Sequence, residues 1–166
     1  RTISDGLQMY SYFGPRTVTG TFGIALLSRY PIENPRTFYM YSAGEQTAAI
    51  EAQITINGRQ FHVLVTHLGN GGPLIQQQQV LAALAGKQDV IAMGDFNFEM
   101  ATEQYALTTQ TYASAWMTAG LPLPAGLDQD DLIDHIFVSD WQSLRMAEYF
   151  NSPASDHPAL LVEIVP

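Results

Sequence analysis

No cysteine occurs among the 166 residues. That excludes a disulfide framework, a zinc–thiolate site and a cysteine nucleophile. It leaves the compartment open, because a chain without thiols suits either redox environment. Cations are almost as scarce: Lys and Arg number 7 against 16 Asp and Glu, a formal net charge of -9. A protein that tracks along nucleic acid gains affinity by setting many cations on phosphates, so duplex DNA is disfavoured as a partner. The same acidic balance suits hard divalent cations, which prefer carboxylate oxygens. No apolar run reaches the roughly 20 residues of a membrane span, and no signal peptide is visible. Any membrane attachment is therefore expected from segments of a longer parent chain.

What is present reads as one folded domain. The length fits a single unit, and 46% hydrophobic against 14% charged residues argues against disorder. Strand signals dominate. Phe22–Ser28 and Ala48–Ile56 are apolar, partly β-branched runs. Asn57-Gly58 separates the second from Gln60–Thr66 and predicts a hairpin, because both turn residues tolerate positive φ. Pro73 suits a first helical position, Val80, Leu81 and Leu84 lie at helical spacing, and Gly86 fits just past the end. Asp89–Met93 reads as a buried strand ending at Gly94, and Ala101–Leu107 as a short helix. Asp128–Asp131 reads as a solvated acidic loop, and Ile133–Val138, Leu144–Phe150 and Ala159–Val165 as the last strands. Strands and helices mixed with a hairpin predict α/β with mixed sheets.

Four short segments end or follow strands, and each offers a polar pair: Thr66-His67-Leu68-Gly69-Asn70, Gly94-Asp95-Phe96-Asn97, Ile133-Asp134-His135-Ile136 and Ser155-Asp156-His157-Pro158. Strand ends are where α/β folds assemble sites. In an extended segment Asp95 and Asn97 point the same way, so a carboxylate and an amide could orient a water and a phosphoryl oxygen together. Asp156 beside His157 offers a metal-binding oxygen next to an imidazole. His157 can serve as a general base if a carboxylate, with Asp134 the candidate, holds its tautomer. Taken singly, each has a plainer reading: a turn for Gly94–Asn97, a surface pair for Asp156-His157, a satisfied buried histidine for His67. Their joint occurrence at strand ends, in this order, favours a common site.

The order Gly23–Ile32, Thr66-His67-Leu68, Gly94-Asp95-Phe96-Asn97, Ile133–Ser139 and Ser155-Asp156-His157-Pro158 resembles the endonuclease/exonuclease/phosphatase superfamily over nearly the whole chain. Within it, Met9–Pro15, Thr19–Gly23 and His67–Asn70 are similar to the C-terminal domain of GPI-anchor lipid-remodelling proteins. The resemblance implies a sandwich of two mixed β-sheets packed face to face with helices outside, four layers in all. It also implies a phosphodiesterase dependent on Mg²⁺ or Mn²⁺. His157 would be the general base or a phosphate-contacting imidazole, and Asp134 its orienting group. Asp95 would align the water and reach the metal, Asn97 would steady the phosphate, Asp156 would sit at the metal, and His67 would bind a phosphoryl oxygen or protonate the leaving group.

The resembled domain opens with a strand carrying an Asn and another ending in Gln-Glu, the Glu being its main metal ligand. Residues 1–30 hold no acid except Asp5, which follows no strand signal. The expectation is one domain over residues 1–166, N-terminally incomplete, with weakened metal binding. A small or lipid-borne phosphodiester is the expected substrate. The alternatives are a nuclease of the same superfamily and a catalytically impaired binding module. Weaker readings are Glu45 as a partner of His67 or, as a strand-edge Glu more often is, merely solvated, Arg16 and Arg29 facing an anionic substrate with a surface charge preferred for Arg29, His62 as structural, and Trp116 and Trp141 as core anchors.

Overall fold

The computed structural model describes residues 3–15, 22–44 and 46–165. The expectations for Arg1, Arg16, Glu45 and the Thr19–Thr21 stretch lie outside the described residues. A short helix α1 (Ile3–Leu7) precedes strands β1 (Tyr10–Pro15), β2 (Gly23–Ser28) and β3 (Glu33–Tyr39). Then come β4 (Ala48–Ile56), β5 (Arg59–His67), α2 (Leu74–Leu84), β6 (Val90–Asp95) and α3 (Glu103–Thr109). The chain closes with β7 (Ala113–Ser114), α4 (Ala115–Ala119), β8 (Asp134–Val138), β9 (Leu144–Phe150) and β10 (Ala159–Ile164).

The main sheet has six strands in the order β3-β4-β5-β6-β8-β7. It is mixed, because β5 and β6 run parallel across the α2 connection while the other pairs are antiparallel. The β4–β5 hairpin turns on Asn57 and Gly58, at φ 51 and 84, the left-handed conformation that this dipeptide accepts. One face is covered by α2 and α3. Ala49, Leu64, Ala92 and Phe137 point that way and are buried with Val80, Leu84 and Tyr105.

The opposite face carries Ile50, Ala52 and Ile54 of β4, Phe61 and Val63 of β5, and Ile91 and Met93 of β6. Against it lies a second layer made of two separate antiparallel pairs, β1–β2 and β9–β10. The architecture is thus α/β with two sheet layers, and the second layer is split in two rather than continuous and mixed.

Several local expectations shift. Met9–Pro15, for which no strand was expected, contains β1. Strand β3 gave no periodic signal, because Pro35 and Asn34 (φ 48) fall where its register against β4 shifts. Pro73 is the residue just before α2 and not its first helical position. Asp128 caps a single exposed 3-10 turn, Gln129–Asp131. Trp116 packs edge-on against Tyr149 at 6.0 Å between ring centroids. Trp141 is 57% exposed and so is not a core anchor, because it sits in a one-turn 3-10 segment outside the sheets.

Candidate active site and metal centre

Register alone brings the site together. On the face opposite the helices, Val63, Ile91 and Val138 are cross-strand partners, and so are Val65, Met93 and Ile136. Side chains alternate along a strand, so the next rung on this face, two residues on, is His67, Asp95 and Asp134. Three titratable groups thus finish an otherwise apolar face at the end of the sheet. His67 Nε2 lies 3.3 Å from Asp95 Oδ2. Beyond the rung, the turn before β10 brings in His157, whose Nδ1 is 2.6 Å from Asp134 Oδ2. Ligand atoms of Asp95, Asp134 and His157 all lie within 4.8 Å of one another. Asp156 is exposed and outside that group, but lines the same pocket as Asp134 and His157, of about 200 Å³.

The loop after β6 is held from several sides. Gly94 has φ 137, and a Cβ there would meet the Thr66 carbonyl oxygen at 2.0 Å. Only glycine lets β5 and β6 approach so closely at the rung. Phe96 and Phe98 point into the helix-side core, and the Phe96 N–H donates to the Ile133 carbonyl at 3.0 Å. Asn97 departs from the extended geometry expected for it. The strand ends at Asp95, and Asn97 takes φ 53. Its backbone N–H donates to Asp95 Oδ1 at 2.9 Å, and its side-chain amide donates to the Leu68 carbonyl at 2.9 Å. Asn97 therefore fixes the Asp95 carboxylate and ties the two motif loops together.

Sequence reasoning gave His135 no separate role. It faces the helix side, opposite Asp134 on the same strand, and is 2% exposed among Phe96, Phe98, Tyr105 and Phe137. Its Nε2 bonds the Phe98 carbonyl at 2.8 Å. Burial drives its pKa down to about 4, against that hydrogen bond and the Asp95 charge. The period-2 alternation of β8 is the signal that separates His135 from Asp134. The Tyr149 hydroxyl, which donates to the Asp134 carbonyl, had no such signal. Burial pushes the Asp134 carboxyl up, the hydrogen bond from His157 opposes this, and the Asp95 charge adds to it. The hydrogen bond to Asp134 raises His157, burial works against it, and the charges of Asp134, Asp95 and Asp156 reinforce it.

On the His67 side the rung opens into a pocket of about 420 Å³ lined by Ser42, Thr47, Asn70 and Gln76. Among the described residues that line it, His67 is the one titratable group. Gln76, 2% exposed, shapes its wall: it accepts from the Gly69 N–H at 2.8 Å and donates to the Tyr41 carbonyl at 2.9 Å.

The sequence profile of the family described as "PGAP2IP, C-terminal nuclease-like domain" matches residues 1–111. The chain belongs to this family. Among curated relatives, Protein cwh43 of Schizosaccharomyces pombe (strain 972 / ATCC 24843) is 36% identical over 70 residues, 42% of this chain. The matched stretch of the chain spans 7% of the length of that relative.

Solved structures place the PGAP2IP-type domain in the endonuclease/exonuclease/phosphatase fold. An endonuclease/exonuclease/phosphatase protein from Bacteroides vulgatus superposes with TM-score 0.79 at 19% identity, covering 98% of this chain and 78% of the other. A mannosyl-6-phosphatase from Bacteroides thetaiotaomicron VPI-5482 gives TM-score 0.74 at 18% identity, covering 95% and 77%. Identities this low establish the fold and nothing finer. Both resemblances read from the sequence hold, to the superfamily and to the narrower domain.

Proposed function

We propose that this domain is the catalytic core of a divalent-metal-dependent phosphoester hydrolase that directs water at a small or lipid-borne phosphodiester. The observation that carries the reading is the convergence of Asp95, Asp134 and His157 within 4.8 Å at the end of one apolar sheet face. Two carboxylates and an imidazole, with no thiolate, fit a hard cation such as Mg²⁺ or Mn²⁺. Asp95 would hold it, with Asp156 at the rim and Asp134 and His157 forming the wall. When bound, such an ion offsets charge on the phosphoryl oxygens.

The protein's own groups supply the rest. Asp134 accepts the Nδ1–H of His157 and leaves Nε2 as the basic nitrogen, the arrangement a general base requires. Asn97 holds the Asp95 carboxylate by its backbone N–H, so that Asp95 can align the attacking water. The second N–H of the Asn97 amide, not used on Leu68, can donate to a phosphoryl oxygen. His67, 3.3 Å from Asp95, is placed to contact the same phosphoryl group.

The surroundings favour a small phosphodiester over duplex DNA. Arg59 is engaged by Asp89 and Asp140 at the far end of β5, and Arg36 and Lys87 by Glu51. Arg145 donates to backbone carbonyls, and Arg29 is exposed. The hydroxyls and amides among the described residues beside His67 suit the alcohol side of a phosphodiester, such as a lipid headgroup. No helix among the described residues is long and apolar enough to cross a membrane, so a lipid substrate would be met at a membrane surface or through other parts of a longer protein.

The test is hydrolysis of bis(p-nitrophenyl) phosphate with Mg²⁺ or Mn²⁺ by the product of the complete reading frame. The expected result is turnover abolished by EDTA and reduced on the order of 10²-fold or more by Asp95→Asn. Turnover indifferent to both would contradict the proposal. No turnover, with retained binding of phosphodiester vesicles, would identify a binding module instead.

A further inference from the structure

Helix α2 carries a run of glutamines, Gln76-Gln77-Gln78-Gln79. Gln77 donates to the Thr108 hydroxyl of α3 at 2.6 Å, Gln79 accepts from the Tyr41 N–H at 2.8 Å, and Gln78 is exposed. Gln76 differs from these in bonding two separate loops with one amide, while almost wholly buried. Its Oε1 accepts from the Gly69 N–H at 2.8 Å, and its Nε2 donates to the Tyr41 carbonyl at 2.9 Å. The Ser42 hydroxyl lies 3.5 Å from the same nitrogen. Those two loops are the two walls of the pocket beside His67. Ser42, Ala43 and Thr47 line one side, and His67, Gly69 and Asn70 line the other. Among the described residues, Gln76 is the side chain that hydrogen-bonds to both.

The sheet fixes His67 from one side alone. It pairs with Ala48 and Asp95 as the last residue of β5, and the chain then leaves the ladder. Three of the four residues in Gly69-Asn70-Gly71-Gly72 are glycines, so the loop has few side chains with which to hold itself. Carboxamides from other elements hold it instead. Asn97 donates to the Leu68 carbonyl at 2.9 Å, and Gln104 of α3 donates to the Gly72 carbonyl at 2.8 Å and the Gly71 carbonyl at 3.2 Å. Gln76 adds the bond to Gly69 and carries the hold across to the opposite wall. The chemistry requires an amide here. Glutamine offers an acceptor and a donor without charge. An ionised glutamate could accept from Gly69 but could not donate to Tyr41, and it would set a negative charge beside a site proposed for a phosphodiester.

We propose that Gln76 is a positioning residue of the candidate site. It fixes the separation of the two pocket walls and, through Gly69, the placement of the loop that follows His67. The alcohol side of the substrate would then enter a slot whose width is set from α2 as well as by the strands. This assignment rests on the hydrolytic reading, because the spacing of the walls matters for a substrate held at His67. Misplacement by about 1 Å near a reacting centre can cost on the order of 10²-fold in rate, so a single amide bridge between two loops is enough to matter.

Hydrogen exchange and steady-state kinetics on bis(p-nitrophenyl) phosphate, both in the complete protein, test it. Gln76→Met keeps the length of the side chain and removes both hydrogen bonds. The amides of Gly69 and Gly72 on one wall, and of Tyr41 and Thr47 on the other, should exchange on the order of 10-fold faster. The kcat/KM should fall on the order of 10-fold or more, with KM raised. Gln76→Asn, one carbon shorter, cannot span both walls and should loosen at least one of them and raise KM in the same direction. Gln78→Ala should change neither measurement. The β6 amides of Ile91 and Ala92 should stay protected throughout and report a folded core. A merely structural loss would lower the active fraction, and with it kcat, while leaving KM in place. Unchanged exchange in both walls of Gln76→Met, or loosened walls with KM unmoved, would overturn the proposal. Absence of turnover by the native protein, with both walls loosened in Gln76→Met, would overturn the hydrolytic reading and leave Gln76 as the bridge between the two loops.

Discussion

Asp134 and His157, 23 residues apart in sequence, meet through Oδ2 and Nδ1 at 2.6 Å. The carboxylate ends one strand and the imidazole lies in the turn before another, so the bond joins the main sheet to the second layer. Asp134→Asn should preserve the fold, because the Tyr149 bond uses the Asp134 backbone. It should lower the pKa of His157 by removing the first cause of its elevation. Turnover by the complete protein should fall on the order of 10²–10⁴-fold. A proton NMR titration of the imidazole checks this, and an unmoved His157 would deny Asp134 its orienting role.

Gly94→Ala should be among the costliest small substitutions in the chain. The added methyl would meet the Thr66 carbonyl at 2.0 Å with φ 137, an expected loss on the order of 3 kcal/mol or more. It would also part His67 from Asp95. Gly58→Ala, at φ 84 but with nothing within 4 Å of the new Cβ, should cost about 1 kcal/mol through backbone strain alone. Urea melts of both variants decide the matter, and equal losses would refute the close-approach explanation.

The buried His135 predicts an acid-side loss of stability. Its folded pKa of about 4 lies below the ordinary 6.5. Above pH 6.5 the ring is neutral in both states and its contribution is complete. As pH falls from about 6.5 toward 4, the unfolded chain takes up the proton and the folded one does not, so about 3 kcal/mol is withdrawn across that window. Urea midpoints between pH 7 and pH 4 should fall more steeply for the native chain than for His135→Gln. Parallel curves would show that the ring titrates normally.

Duplex DNA should bind weakly. With a net charge of -9 and its described cations mostly committed to Glu51, Asp89 and Asp140, the chain has few groups with which to release counterions. Fluorescence anisotropy against a labelled duplex should show no tight, salt-dependent complex. A submicromolar affinity at physiological salt would require a different substrate class.

Much of this was legible in the sequence because it is local. The β4–β5 hairpin follows from Asn57-Gly58, α2 from its spaced apolar residues, and the strand ends from the motifs that follow them. Illegible were features set by long-range packing. Strand β3 is hidden by Pro35 and its register shift. Asn97 leaves extended geometry because its amide is captured by Leu68, 29 residues away. His135 and Asp134, adjacent in sequence, part to opposite faces, one to a core and one to a site. The division of the second layer depends on pairings that no single segment specifies.

The central claim is that Asp95 holds a cation beside the Asp134–His157 pair, with His67 at the edge of the site. The chain has 4 histidines, and the other two serve as internal controls. His62 pairs with Val90 at the opposite end of β5, and His135 is buried on the helix side. Substoichiometric Mn²⁺ added to the complete protein, followed through the imidazole NMR signals, should broaden His157 and His67 first and spare His62 and His135, and Asp95→Asn should abolish the effect. Uniform broadening of the signals of these four residues, or broadening that begins at His62, would contradict the claim.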